Sequence, residues 1–159
     1  MSYEKVYRPN VAIIVLSSNY PQVCEILIGH RIDIDGSWQF PQGGIEVSNG
    51  ETPKEALFRE LQEEIGTNEV EIVSEHPDWI SYDFPKDILE KKRPYIGQRQ
   101  KYFVVKLKPN AKVNVSTQIP EFKDYKFVSL DNLLNEVSPI KRDAYKKALS
   151  YFKDENILF

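Results

Sequence analysis

Glu51-Thr-Pro-Lys-Glu-Ala-Leu-Phe-Arg-Glu-Leu-Gln-Glu-Glu-Ile-Gly-Thr67 reads as one helix with both ends marked. Thr52 suits the N-cap, Pro53 the first helical position, and Glu55, three residues on, completes a capping box. Gly66 offers a left-handed stop. Leu57, Leu61 and Ile65 recur every four residues as an apolar stripe, with Phe58 beside it. Glu60, Glu63 and Glu64, at i, i+3 and i+4, share the adjoining face. Like-charged helical neighbours cost a few tenths of a kcal/mol, roughly, per pair. A hard divalent cation offsets that cost, because Mg²⁺ prefers oxygen ligands. A solvated acidic face is the plain alternative, and the helix by itself does not choose between them.

The segment upstream bears on the choice. Trp38-Gln-Phe-Pro-Gln-Gly-Gly-Ile45 feeds the helix through a short loop, Glu46 to Gly50. Gly43 and Gly44 permit unusual backbone geometry or the close approach of a ligand. A plain turn is the competing reading.

Composition bounds the rest. The 159 residues fit one domain, 1–159, with 41% hydrophobic and 28% charged residues, ordinary for a globular protein. A single cysteine, Cys24, allows no internal disulfide and suits a reducing cytoplasm, the expected location. The longest apolar run, Val11 to Leu16, is far short of a membrane span, and no signal-peptide pattern opens the chain, so no membrane association is expected. A net charge of −3 argues against a grip on long nucleic-acid backbones and favours local capture of an end or a nucleotide.

Along the chain, Val11–Leu16 and Val23–Gly29 read as strands, expected to pair as a hairpin across the turn at Ser17–Gln22. Further strands are expected at 70–73, 79–84, 100–107 and 125–130, with a short one at 113–115. Asp131 is placed as the cap of a short helix, and Ser138-Pro139 as the start of the last one. On that last helix Ile140, Ala144, Ala148, Tyr151 and Phe152 form the apolar face, and Lys141, Arg142, Lys146 and Lys147 the polar face. Lys141 and Arg142 stand in its first turn, where the helix dipole disfavours cations, which directs attention to an anion nearby. Residues 85–99 make a long, Pro- and Gly-punctuated connection that is net basic through Lys86, Lys91, Lys92, Arg93 and Arg99. Trp38 and Trp79 are read as core anchors, and His30 and His76 as structural.

Gly43-Gly44, Glu51 and Arg59-Glu-Leu-Gln-Glu-Glu-Ile-Gly-Thr67 together resemble the signature of the Nudix hydrolases, G-x5-E-x7-R-E-U-x-E-E-x-G-U with U apolar. The spacing from Glu51 through Gly66 matches, and Thr67 stands at the last, apolar position. Seven residues rather than five separate Gly43 from Glu51, an insertion of two that lies in the loop before the helix. Tyr7-Arg-Pro-Asn-Val11, Trp38–Ile45, Gly97–Phe103, Pro120-Glu121-Phe122 and Lys141-Arg-Asp143 extend the similarity to the bacterial RNA pyrophosphohydrolase branch, which overlaps with diadenosine polyphosphate hydrolases.

The resemblance implies an α/β fold, a Nudix-type α/β/α sandwich with a mixed sheet between helices. It also implies hydrolysis of a phosphoanhydride with Mg²⁺ or Mn²⁺. Carried over by position, Glu60, Glu63, Glu64 and Glu121 become metal ligands, with a carbonyl of Gly43 or Gly44 beside them. Glu64 or Glu121 takes the proton from the attacking water, with Glu60 close to the chemistry. Glu51 and Arg59 brace the helix. Arg8 and Arg31 contact phosphate, Lys92 or Arg93 add to them from the basic loop, and Tyr82, Ile140 and Lys141 lie where the branch contacts a base. The expected substrates are 5′-triphosphorylated or diphosphorylated RNA, or alternatively dinucleoside polyphosphates, acted on by a monomer. A catalytically dead nucleotide-binding module is the third reading, set against it by the presence of all three box glutamates.

Overall fold

The structure, a computed structural model, describes residues 6–159. Its centre is β1 (Tyr7–Leu16), whose residues from Val11 to Leu16 are wholly buried. A run that is apolar on every position needs cover on both faces. It gets it by alternation: Ala12, Ile14 and Leu16 join one core, Val11, Ile13 and Val15 the other.

The sheet is mixed and has eight strands. β1 lies parallel to β7 (Gly97–Leu107) over its whole length, from Tyr7 opposite Gly97 to Leu16 opposite Lys106. Its other edge is shared. β4 (Gln42–Gly44) pairs with its first half, and β2 (Glu25–Arg31) meets only its end, Leu16 opposite Ile26. The expected β1–β2 hairpin is therefore confined to its closing pair. The true partner of β2 is β8 (Phe122–Ser129), antiparallel along its length, with β3 (Trp38–Gln39) beside its last residues. β5 (Val70–Glu75) and β6 (Ile80–Asp83) both pair antiparallel with β7.

The helix read from the sequence is α1 (Pro53–Ile65). Thr52 caps it in a full capping box with Glu55, and Gly66 closes it at φ 71°. Ala56, Leu57, Leu61 and Ile65 bury it against Val11, Ile13 and Val15. A buried Leu or Ile contributes about 1.5–3 kcal/mol, so this stripe outweighs the charge repulsion on the neighbouring face. The opposite face of the sheet is covered by α4 (Arg142–Asp154) through Ala144, Tyr145, Ala148, Leu149 and Phe152. The expected α/β/α sandwich is present.

Several local expectations give way. Residues 113–115 form no strand, although Val113 and Val115 pack against the α1 core. Residues 85–99 are not structureless: α2 (Lys86–Leu89) and a 3₁₀ turn at Glu90–Lys92 fill them, and β7 starts at Gly97. Asp131 lies inside α3 (Leu130–Glu136), whose N-cap is Ser129. Pro139–Lys141 is a 3₁₀ turn ahead of α4, so the α-helical period does not run through it. That turn buries Lys141 and leaves Ile140 exposed, the reverse of the expected faces. Trp79 is half-open, with the Arg99 guanidinium 4.3 Å over its ring, so it is no core anchor. Among the described residues no helix is long and apolar enough to cross a membrane.

Candidate active site

The site forms where α1 is fastened to the free edge of β4. The Gln42 backbone N–H donates to Glu64 Oε2 at 2.9 Å, and Arg59 Nη2 donates to the Gly44 carbonyl at 2.9 Å. β4 itself is held by β1, Val11 opposite Gly43 and Asn10 opposite Gly44. The double glycine is thus strand, not turn, and neither glycine has a positive φ. Its purpose is space. A Cβ on Gly43 would stand 1.9 Å from Glu60 Cδ, and one on Gly44 2.3 Å from Arg8 Nη2.

The two-residue insertion is absorbed by a 3₁₀ turn at Val47–Asn49 that ends at Gly50, φ 75°. Glu51 still reaches its station. Its carboxylate takes Arg59 Nε and Nη2, both at 2.8 Å, and accepts the Glu46 N–H at 3.0 Å. Arg59 Nη1 turns to the other carboxylates of the helix, 2.9 Å from Glu60 Oε1 and 3.3 Å from Glu63 Oε2. One guanidinium therefore ties the insertion loop, the glycine strand and two of the three box glutamates together.

Glu60 and Glu64 are buried, whereas Glu63 is open to solvent. Burial pushes the Glu60 carboxyl up to about 7, against the pull of Arg59 and with a further push from Glu63 and Glu121. Glu64 lies well above the ordinary carboxylate range, first through burial and then through the neighbouring Glu121 and Glu60. Its Oε1 is buried and has no hydrogen-bond partner, a costly state for a carboxylate oxygen. Glu121, exposed and just ahead of β8, neighbours Glu64 and lines the same cleft as Glu60.

These groups fit a hard divalent cation. The donors are all oxygens, their charges repel, one buried oxygen lacks a partner, and Gly43 leaves Glu60 its place. Among the described residues no three of them already stand at ligand spacing. An ion held there would share Glu60 and Glu63 with Arg59.

Glu60, Glu63 and Glu121 line a cleft of about 720 Å³. Arg8, Arg31, Lys92, Lys141, Ile140 and Tyr82 all line it, so the structure gathers these expected substrate contacts in one place. Arg31 is held by Asp33, Nε to Oδ1 at 2.9 Å and Nη2 to Oδ2 at 2.6 Å. Tyr82 is partly buried and its hydroxyl donates to Gln98 Oε1 at 2.6 Å. Arg93 is not brought in: it pairs with Glu90 at 2.8 Å, and Lys91 lines the cleft instead. Lys141 Nζ donates to Gln39 Oε1 at 2.8 Å, and burial lowers its pKa to about 7. Gln39, Gln42, Asn10 and Gln98 also line the cleft; in the sequence they stand only inside the stretches that carry the resemblance, with no role of their own. Polar residues inside strands read as ordinary alternation, and only the register between β1 and β7 aligns them.

His30 and His76 are structural, as read. His30 Nε2 accepts the Gly36 N–H at 2.9 Å, and His76 Nδ1 accepts the Asp78 N–H at 3.0 Å.

Comparison with known proteins agrees with this geometry. Residues 6–148 match the NUDIX domain. The chain is 60% identical to an RNA pyrophosphohydrolase of a Nitratiruptor species, over 96% of this chain and 97% of that one. It is 54% identical to an RNA pyrophosphohydrolase of Campylobacter jejuni, over 99% of this chain and 100% of that one. Among solved structures, the E. coli dihydroneopterin triphosphate pyrophosphohydrolase superposes with a TM-score of 0.69 at 18% identity, covering 90% of this chain and 97% of that one, a likeness of fold. With the box residues in register and the fold matched over nearly the whole chain, this protein belongs to the Nudix family of hydrolases.

Proposed function

We propose that the enzyme removes pyrophosphate or phosphate from the 5′ end of triphosphorylated or diphosphorylated RNA, using Mg²⁺ or Mn²⁺, as an opening step of mRNA decay in the cytoplasm. One observation carries the chemistry: Glu64 Oε1 is buried and unpartnered beside Glu60 and Glu121, and those two line a cleft whose other walls hold Arg8, Arg31, Lys92 and Lys141. Acidic groups beside cationic ones in one hollow suit a polyphosphate presented through a divalent ion. The names of relatives at 60% and 54% identity support RNA as the carrier of that phosphate chain.

Glu60, Glu63, Glu64 and Glu121 supply the oxygens that hold the ion, and a glycine carbonyl of β4 lies beside them. Bound there, Mg²⁺ or Mn²⁺ offsets the charge on the phosphate oxygens and lowers the pKa of the attacking water. In-line displacement at phosphorus rests mainly on positioning and electrostatics. Arg8, Arg31 and Lys92 hold the phosphate chain by charge. Lys141 lines the same cleft, its Nζ held on Gln39 Oε1. A carboxylate with raised basicity is suited to take the water's proton, and Glu64 is the preferred acceptor, with Glu121 the rival. Tyr82 and Ile140 offer flat or apolar surface to the first bases.

The test compares kcat/KM for a short 5′-triphosphorylated RNA and for diadenosine tetraphosphate in one Mg²⁺ buffer. RNA is expected to be the better substrate. A strong preference for the dinucleotide would move the assignment to small-molecule hydrolysis.

A further inference from the structure

Behind the cleft runs a chain of amide side chains that the reaction as set out above does not use. Asn10 on β1 lies opposite Gln100 on β7, and Ala12 lies opposite both Tyr102 on β7 and Gln42 on β4. All of these side chains sit on one face of the sheet, by alternation. Gln100 and Tyr102 are wholly buried. The Tyr102 hydroxyl donates to Gln100 Oε1 at 2.7 Å. Gln100 Nε2 then donates to Asn10 Oδ1 at 2.9 Å and to Gln42 Oε1 at 3.1 Å.

We propose that Gln100, which substrate does not touch, is a positioning residue that turns the amide N–H groups of Asn10 and Gln42 into the cleft as a neutral donor pair for a non-bridging oxygen of the phosphate chain. This rests on the polyphosphate reading of the cleft.

The direction of the chain follows from hydrogen-bond accounting. A buried hydroxyl proton needs an acceptor. Among the described residues the acceptor of the Tyr102 proton is Gln100 Oε1. If the Gln100 amide were turned over, its Nε2 would face that hydroxyl and the phenolic proton would be left unpaired. The hydroxyl thus fixes Oε1 inward. Nε2, with two protons, then meets two carbonyl oxygens. Once Asn10 Oδ1 and Gln42 Oε1 face Gln100, their nitrogens face the other way, and both residues line the cleft. Neither nitrogen is among the buried side-chain atoms without a partner, and both residues line the cleft, Asn10 with 1% of its surface exposed.

Neutral donors suit this position. A lysine or arginine beside Glu60 and Glu64 is drawn to the carboxylates, as Arg59 is. An amide is not neutralised in that way and stays available to a phosphate oxygen. Turned over, the same two residues would add carbonyl oxygens to an already acidic site.

The first measurement follows the side-chain amide resonances of the wild-type protein as inorganic pyrophosphate is added with Mg²⁺. Those of Asn10 and Gln42 are expected to shift and that of Gln100 to hold. Pyrophosphate binding that moves the Arg8 and Gly44 backbone signals but leaves Asn10 and Gln42 in place overturns the proposal. No binding of pyrophosphate overturns the polyphosphate reading and the proposal with it. The second measurement uses Gln100→Glu, whose two acceptor oxygens still take the Tyr102 proton but demand donors from Asn10 and Gln42, turning both amides over. KM for triphosphorylated RNA is expected to rise about tenfold or more, the scale of hydrogen bonds to a charged group, with kcat nearly kept. Tyr102→Phe, which removes only the proton that sets the direction, is expected to raise KM by a smaller factor. A purely structural role would lower the folded fraction and so the apparent kcat in both variants, with KM unmoved, and that result overturns the proposal.

Discussion

Gly43 and Glu60 share one space: a Cβ on the glycine would stand 1.9 Å from the glutamate's Cδ and 2.1 Å from its Oε1. The glycine is ordinary strand in its backbone, so its lack of a side chain is what the site uses. Gly43→Ala would displace a flexible carboxylate end rather than backbone, so the fold is expected to hold. Glu60 would be moved off its station, and turnover is expected to fall by about two decades, the scale of a lost catalytic group. Gly44→Ala meets the exposed Arg8 guanidinium instead, 2.3 Å from Nη2. There the expected change is a higher KM with a smaller loss of kcat. Steady-state kinetics with melting curves on both variants check the contrast.

Glu64→Gln is expected to change activity and stability in opposite directions. Turnover should fall by on the order of two decades or more. The sign of the stability effect follows from the raised carboxyls. In the unfolded chain these glutamates titrate near 4.5, whereas in the folded protein Glu60 keeps its proton to about 7 and Glu64 beyond the usual range. Between those values the folded state binds more protons than the unfolded one, so metal-free stability falls as pH rises. The decline should run from about pH 5 to about pH 7 and onward for Glu64. The glutamine keeps an acceptor for the Gln42 N–H but carries no charge, so the variant should melt a few degrees higher than wild type in EDTA at pH 8. Added Mg²⁺ should raise the wild-type melting temperature more at pH 8 than at pH 6. An equal rise at both would remove the raised carboxyls from the metal site.

Glu51→Ala is expected to act at a distance. It removes both 2.8 Å bonds that hold Arg59 toward the insertion loop, leaving the guanidinium to Glu60, Glu63 and the Gly44 carbonyl. Stability should fall by about 1–3 kcal/mol for the orphaned donors. The Mg²⁺ concentration for half-maximal activity should rise, because Arg59 then competes more strongly with the ion. An unchanged Mg²⁺ dependence would show that Arg59 does not compete.

The legible and illegible parts of this molecule divide by range. α1 was readable to the residue because its cap, its stripe and its Gly66 stop are all local signals. Its partnership with Gly43–Gly44 was readable only through resemblance, since local pattern made the glycines a turn. Strand pairing was misassigned where the nearest strand in sequence was not the partner: β2 binds β8, almost a hundred residues on, rather than β1. Lys141 was taken for polar surface because a proline-led helix was assumed to keep one period. The 3₁₀ turn at Pro139–Lys141 shifts that phase and carries the lysine to Gln39. Arg93 and Lys91 could not be ranked in the sequence, because only the Glu90 pairing separates them. Gln100 and Asn10 stand in stretches that carry the resemblance, but their pairing lies in the parallel register of two strands ninety residues apart, which no local pattern shows.

The carboxylate cluster as a divalent-metal platform is the claim on which the rest depends. Mn²⁺ binding followed by electron paramagnetic resonance at pH 7.5, in wild type, Glu60→Gln and Glu64→Gln, tests it most directly. Binding in the wild type that weakens by at least about tenfold in each variant is the expected result. Equal Mn²⁺ binding by all three proteins, or full turnover of triphosphorylated RNA in EDTA, would contradict it.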